Sequence, residues 1–122
     1  DGVYKVSKLI ALQVFVGKFT WRKTMTLNEI REDLRNIRYY YSRKEFLEAN
    51  ADLTESKIKE KIEKYNRAIR NAPPKLLDIY LNLYTKGYTQ EATAAILGYS
   101  PQYINLLNNN LLIYLCGALS KG

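Results

Sequence analysis

Residues 89–107 read Thr89-Gln-Glu-Ala-Thr93-Ala94-Ala-Ile-Leu97-Gly98-Tyr99-Ser100-Pro101-Gln102-Tyr103-Ile104-Asn105-Leu106-Leu107, two helical patterns separated by a glycine. Thr89 offers a side-chain oxygen to cap the first helix, and Leu97 closes it on an apolar residue. Gly98 reaches the left-handed conformation that ends a helix without a Cβ clash. Ser100 then caps a second helix, with Pro101 at its first position, where a missing N–H costs nothing. Ala94 is small where the two helices must approach, and Ile104 and Leu107 point back into a shared core. The pattern predicts a helix-turn-helix. Its one irregularity is Thr93, at a position that is usually aliphatic, where the methyl group can still pack. A unit of this kind holds the outer face of its second helix outward, and the commonest use of that face is to enter the DNA major groove.

Upstream, Lys75 to Lys86 predicts another helix with Leu76, Ile79, Tyr80 and Leu83 on its buried face, stopped by Gly87. Asn71-Ala72-Pro73-Pro74 marks a boundary before it, since a residue preceding proline is pushed out of helix. Ahead of that boundary stand two amphipathic helices. The first opens on a Thr26-x-x-Glu29 capping box and carries Leu27, Ile30, Leu34, Ile37 and Tyr41, running to about Phe46 or Leu47. Glu48 to Leu53 reads as a turn, and Asp52 or Thr54 caps the second helix. Ile58, Ile62, Tyr65 and Ile69 form its stripe, with acid-before-base pairs at Glu55/Lys59, Glu60/Lys64 and Glu63/Arg67. Joined so closely, the two should pair as an antiparallel hairpin. Residues 1–24 are rich in β-branched and aromatic side chains and lack a helical period. They read as a short strand or irregular arm, or as an extension ahead of Met25, the only methionine. Downstream, the last helix runs from Pro101 to Leu115 or beyond. Its end, Leu111 to Leu115 with Ala118 and Leu119, is apolar nearly all round and needs burial on more than one side, against the hairpin or a second copy. The expected architecture is all-α: 1–25 arm or extension, 26–72 helical hairpin, 73–122 helix-turn-helix domain.

A chain of 122 residues with 47% hydrophobic side chains can bury a core. Its net charge of +7 favours an anionic partner such as nucleic acid. That charge is uneven: residues 1–71 hold 16 Lys/Arg against 10 Asp/Glu, while residues 72–122 hold 3 against 2. The absence of histidine and the single Cys116 exclude Cys/His zinc sites, Ser-His-Asp triads, Cys-His dyads and intrachain disulfides. With no histidine base and no glycine-rich phosphate loop, an enzyme is not expected, nor is a cofactor or metal. The apolar run Leu9 to Val16 is broken by Gln13 and too short to span a bilayer. Lys18, Arg22 and Lys23 follow it where a signal peptide needs small residues. The expected setting is a reducing cytoplasm without membrane association.

The exposed face of the second helix should show Gln102, Tyr103, Asn105, Leu106 and Asn109. Glutamine and asparagine pair bidentately with adenine, so Gln102, Asn105 and Asn109, together with Tyr103, are the base-contact candidates. This face carries no lysine or arginine, so phosphate contacts must come from elsewhere. Arg31, Arg35 and Arg38 recur four and three apart along the first long helix, extended by Arg43 and Lys44. With Lys86 and Ser100 they are the phosphate-contact candidates, although a charged stripe is also what a plain solvated face looks like. Tyr39-Tyr40-Tyr41 beside Arg38 and Arg43 suggests base stacking on single strands. Core or interface packing is the favoured reading of the tyrosines, with Tyr65, Tyr80, Tyr84, Tyr99 and Tyr114 at or near apolar positions.

Residues 75–115, with Leu77-x-x-Tyr80-x-x-Leu83, Gly87-Tyr88-Thr89-Gln90-Glu91, Ile96-Leu97-Gly98-Tyr99-Ser100 and Ile104, resemble the promoter-reading domain of bacterial sigma factors. They also resemble its relatives in small phage transcriptional regulators of the autolysin-regulator (ArpU-like) type. The upstream stretch Leu34-x-x-Ile37-Arg38-Tyr39-Tyr40-Tyr41-Ser42-Arg43-Lys44-Glu45 is similar in style to the region before that domain. The resemblance implies a prophage-type transcription regulator that binds double-stranded DNA near promoters through residues 101–109, with RNA polymerase as a further partner. Because one short recognition helix binds weakly, a homodimer over two half-sites is expected. Two other readings stay open: a small terminase-like DNA-packaging subunit, which would assemble as a ring, and a helical protein–protein adaptor.

Overall fold

In the computed structural model, which describes residues 24–49 and 53–120, the chain is all-α, and no strand occurs among those residues. Thr26 begins α1 (Leu27–Ser42): its hydroxyl accepts from the Glu29 amide at 3.1 Å, and the Glu29 carboxylate accepts from the Thr26 amide at 2.9 Å. Ile30, Leu34 and Ile37 are buried as the stripe predicts. Its ends differ: Tyr40 is the buried tyrosine, Tyr41 is half-buried and Leu27 is exposed. The C-terminal end also breaks early. The Arg43 amide reaches the Tyr39 and Tyr40 carbonyls, each at 3.1 Å, and α1 stops there. A separate short α2 (Lys44–Ala49) follows, and its Glu48 takes the Tyr40 hydroxyl at 3.2 Å. Phe46, expected near the end of the stripe, is exposed, and Glu48 and Ala49 are helical rather than part of a turn.

Helix α3 (Leu53–Ile69) buries Ile62, Tyr65 and Ile69, with Ile58 half-buried. Thr54 lies inside it rather than capping it. Asp33 clasps α3 to α1, taking the Tyr65 hydroxyl at 2.7 Å and the Lys61 ammonium at 2.9 Å. After Ala72-Pro73, α4 (Pro74–Ile79) buries Leu76 and Ile79. The sequence predicts one regular helix to Lys86, but the chain instead widens into a π-helical turn (Tyr80–Thr85). Asn82 is buried there and gives its side-chain amide to the Asp78 carbonyl at 2.8 Å. A side chain inserted into the backbone ladder in this way loosens an α-helix. The Lys86 amide reaches five residues back to Leu81 at 2.8 Å, and Gly87 ends the segment at φ 73°.

The last two elements are α5 (Gln90–Leu97) and α6 (Pro101–Ser120). The second is the spine of the molecule and packs on α1, α3, α4 and α5. This is how a helix apolar nearly all round finds burial on several sides. Ile104, Leu107, Leu111, Leu112 and Leu115 are buried, whereas Ile113 is 60% exposed. Met25 is tied to the far end of α6, its amide donating to Ser120 Oγ at 2.9 Å and its carbonyl accepting from the Cys116 thiol at 2.8 Å. Buried residues from both sides of Pro73-Pro74 form one cluster reaching from Ile30 to Leu115. The N-terminal arm predicted for residues 1–25 falls, up to residue 23, outside the described residues, as does Asp52.

Candidate nucleic-acid interface

The segment between α5 and α6 is built from local bonds. The Thr89 hydroxyl accepts from the Ala92 amide at 3.0 Å. Gly98 stands at φ 76°, and the amides of Gly98 and Tyr99 converge on the Ala94 carbonyl at 2.9 and 3.0 Å. The Ser100 hydroxyl accepts from the Tyr103 amide at 3.1 Å, capping α6. Ser100, a phosphate-contact candidate, spends one lone pair on this cap and keeps its hydroxyl proton to donate. Thr93 and Ala94 are the buried residues of α5. Thr93 is fully covered, and its hydroxyl has no hydrogen-bond partner.

With this register, Gln102, Asn105, Leu106 and Asn109 are all exposed on α6. At about 100° per residue they share one face, opposite Ile104, Leu107, Leu111 and Leu115. Tyr103 stands at one edge of that face and is half-buried. Its ring meets Tyr99 edge-on, with centroids 4.9 Å apart. Lys75, on the first turn of α4, donates to the Tyr103 hydroxyl at 2.9 Å. Its ammonium also lies 5.8 and 5.3 Å from the Tyr99 and Tyr103 ring centroids. The hydrogen bond to Tyr103, and then the charges the two phenols would take on, push Lys75 above its ordinary value.

The opposite edge of the face carries Asn108, which accepts the Tyr84 hydroxyl at 2.6 Å. Burial pushes the Tyr84 phenol up, while Asn108 and the nearby positive charges of Arg38 and Arg31 pull it down. The arginine side of α1 is thus linked through Tyr84 to the edge of α6 next to Asn105 and Asn109. Arg35, Arg38 and Lys86 line one open cleft of about 570 Å³ beside the Gly87 turn. Arg38 donates to the Gly87 carbonyl at 2.9 Å, which fixes α1 against that turn. Arg35 pairs with Glu32, and Arg31 donates to Asn28 at 3.2 Å. Arg43 lies over the exposed Tyr39 ring at 5.5 Å, and Lys44 is exposed.

Lys75 and Asn108 escaped the sequence reading. Lys75 lies 28 residues before the hydroxyl it engages, and no helical period spans that distance. Asn108 sits in the Asn108-Asn109-Asn110 run, which reads as a bare polar repeat until the buried rows on either side are known. Of the tyrosines, Tyr65 and Tyr80 are fully buried, and Tyr114 donates to the Ala68 carbonyl at 2.9 Å. Among the described residues no cluster of three or more His, Cys, Asp or Glu side chains could hold a metal, and no helix is long and apolar enough to cross a membrane. No protein-family model, curated protein or solved structure matches the chain.

Proposed function

We propose that the chain is a DNA-binding transcription regulator of phage or prophage type, with α6 as its reading helix. One observation carries this. Gln102, Asn105 and Asn109 stand exposed on one face of α6 while its other faces are anchored to four helices. Amide side chains held on so rigid a support suit bidentate pairing with adenine in the major groove. The helix has no cation of its own, but Arg31 and Arg38 flank one edge of the face and Lys75 the other. A helix about 10–12 Å across fills a major groove about 12 Å wide, so cations beside the helix face the phosphate backbones. On this reading the protein works in the cytoplasm as a homodimer on two half-sites, and its resemblance to promoter-reading domains adds RNA polymerase as a partner.

The test is a salt titration of binding to a duplex selected from a randomised pool. Log affinity should fall steadily with log salt. Affinity independent of salt, or no binding at low salt, overturns the proposal. The adaptor reading draws on Leu106 and Ile113, 50% and 60% exposed and seven residues apart on the same face. Mass in solution separates the ring-forming packaging subunit from the regulator, because a dimer supports the regulator and eight or more copies the ring.

A further inference from the structure

The sequence places almost all the basic charge upstream of residue 72, and the proposed reading helix is itself uncharged. Lys75 is an exception in both position and chemistry. Arg35 has Glu32 and Lys61 has Asp33, but among the described residues no carboxylate lies within ion-pair distance of Lys75. The groups that act on it are two tyrosines. One of its three N–H donors is spent on the Tyr103 oxygen, and two remain. Because that oxygen accepts from Lys75, the hydroxyl proton of Tyr103 is turned away from the ammonium and is free to donate. The result is a group of donors, one of them fully charged, converging beside the capped start of α6 with no carboxylate acceptor among the described residues. Such a group is matched by an anion with several oxygens.

Its place on α6 says which anion. Tyr103 and Asn108 are five residues apart, about 7.5 Å along the helix; about 140° of buried side lies between them one way round, and about 220°, holding the amide-rich face, the other way. The Lys75–Tyr103 pair and the Arg31/Arg38 side therefore straddle the amide-rich face instead of lying on one side of it. We propose that Lys75 and the Tyr103 hydroxyl grip a backbone phosphate on one DNA strand, while Arg31 and Arg38 meet the other strand. This rests on the reading of α6 as a DNA-binding helix and deepens it, by making Tyr103 a phosphate ligand rather than a base reader. It also explains how a helix without cations gains affinity: the charge is delivered from α1 and α4 by packing.

The experiment uses the full chain with the selected duplex, comparing wild type with Lys75→Gln, Tyr103→Phe and Arg38→Gln. Lys75→Gln should lower the slope of log affinity against log salt by about 0.9, as one lost phosphate contact does, with the thermal midpoint unchanged. Tyr103→Phe keeps the ring and its packing, so it should weaken binding several-fold without changing the slope. Phosphate-ethylation interference should lose its signal on one strand in Lys75→Gln and on the other in Arg38→Gln. If wild type binds with the usual salt dependence but Lys75→Gln keeps the wild-type slope, or both variants lose the same strand, the inference fails and the proposed function stands. If wild type binds no duplex, both fall. Inorganic phosphate added alone should not protect the site at concentrations where the duplex saturates; equal protection would make it a free-phosphate site and overturn the assignment to DNA.

Discussion

Thr93 is fully buried with an unpaired hydroxyl, so Thr93→Val exchanges an unsatisfied O–H for a methyl of nearly the same shape. A buried polar group without a partner costs about 1–3 kcal/mol. Burying one more methyl adds about 0.8 kcal/mol, part of which is lost to imperfect fit in a core shaped for oxygen. Valine and threonine have similar helix propensities, so α5 itself is not perturbed. The net expectation is a gain of about 1–2 kcal/mol, or about 4–8 °C in Tm at roughly 4 °C per kcal/mol for a domain of this size. Thr93→Ser is the control: it keeps the hydroxyl, removes the methyl and should lose about 1 kcal/mol. Urea unfolding followed by far-UV circular dichroism reads both, with an unchanged m-value confirming that the unfolded state is the same. A valine variant that is neutral or less stable would refute the reasoning. In that case the hydroxyl must already donate, most simply to the carbonyl one turn back.

Gly98→Ala should cost about 1 kcal/mol in urea unfolding. Among the described residues no atom beyond the chain neighbours lies within 4 Å of an added Cβ, so the penalty is the left-handed φ of 76°, and Gly98→Asn should cost less. Tyr65→Phe removes one partner of Asp33 and should cost about 1 kcal/mol near neutral pH. Its pH dependence has a definite sign. Burial, and then Asp33, hold the Tyr65 phenol well above its ordinary value, so the native state keeps a proton that the unfolded chain loses. The contribution is full below about pH 10 and lost above it, so the gap between wild type and Tyr65→Phe should close and then reverse as pH rises further, at up to about 1.4 kcal/mol per pH unit. A constant gap in unfolding series run from neutral to strongly alkaline pH would contradict this. If α6 reads DNA, Gln102→Ala and Asn105→Ala should each weaken the selected duplex by about 1–3 kcal/mol and leave the salt slope alone; equal losses on random duplex would show that neither reads a base.

From sequence alone the helix class, the Thr26–Glu29 box, the Thr89 and Ser100 caps and the Gly87 and Gly98 stops were legible, as were the buried rows of α1, α3 and α6. All are satisfied within about one helical turn, so neighbouring residues suffice to dictate them. The exposure of Gln102, Asn105 and Asn109 follows from the same period. Tertiary structure decided the rest. Tyr40 rather than Tyr41 is the buried tyrosine, and Glu48 of the separate helix α2 takes its hydroxyl. The π-helical turn accompanies a buried Asn82 that no apolar pattern marks. The chain's charge looks misplaced until packing brings Arg38 against Gly87 and Lys75 against Tyr103. Caps and periods are short-range and readable, whereas the meeting of side chains tens of residues apart depends on how whole helices pack, and that is where the candidate site is made.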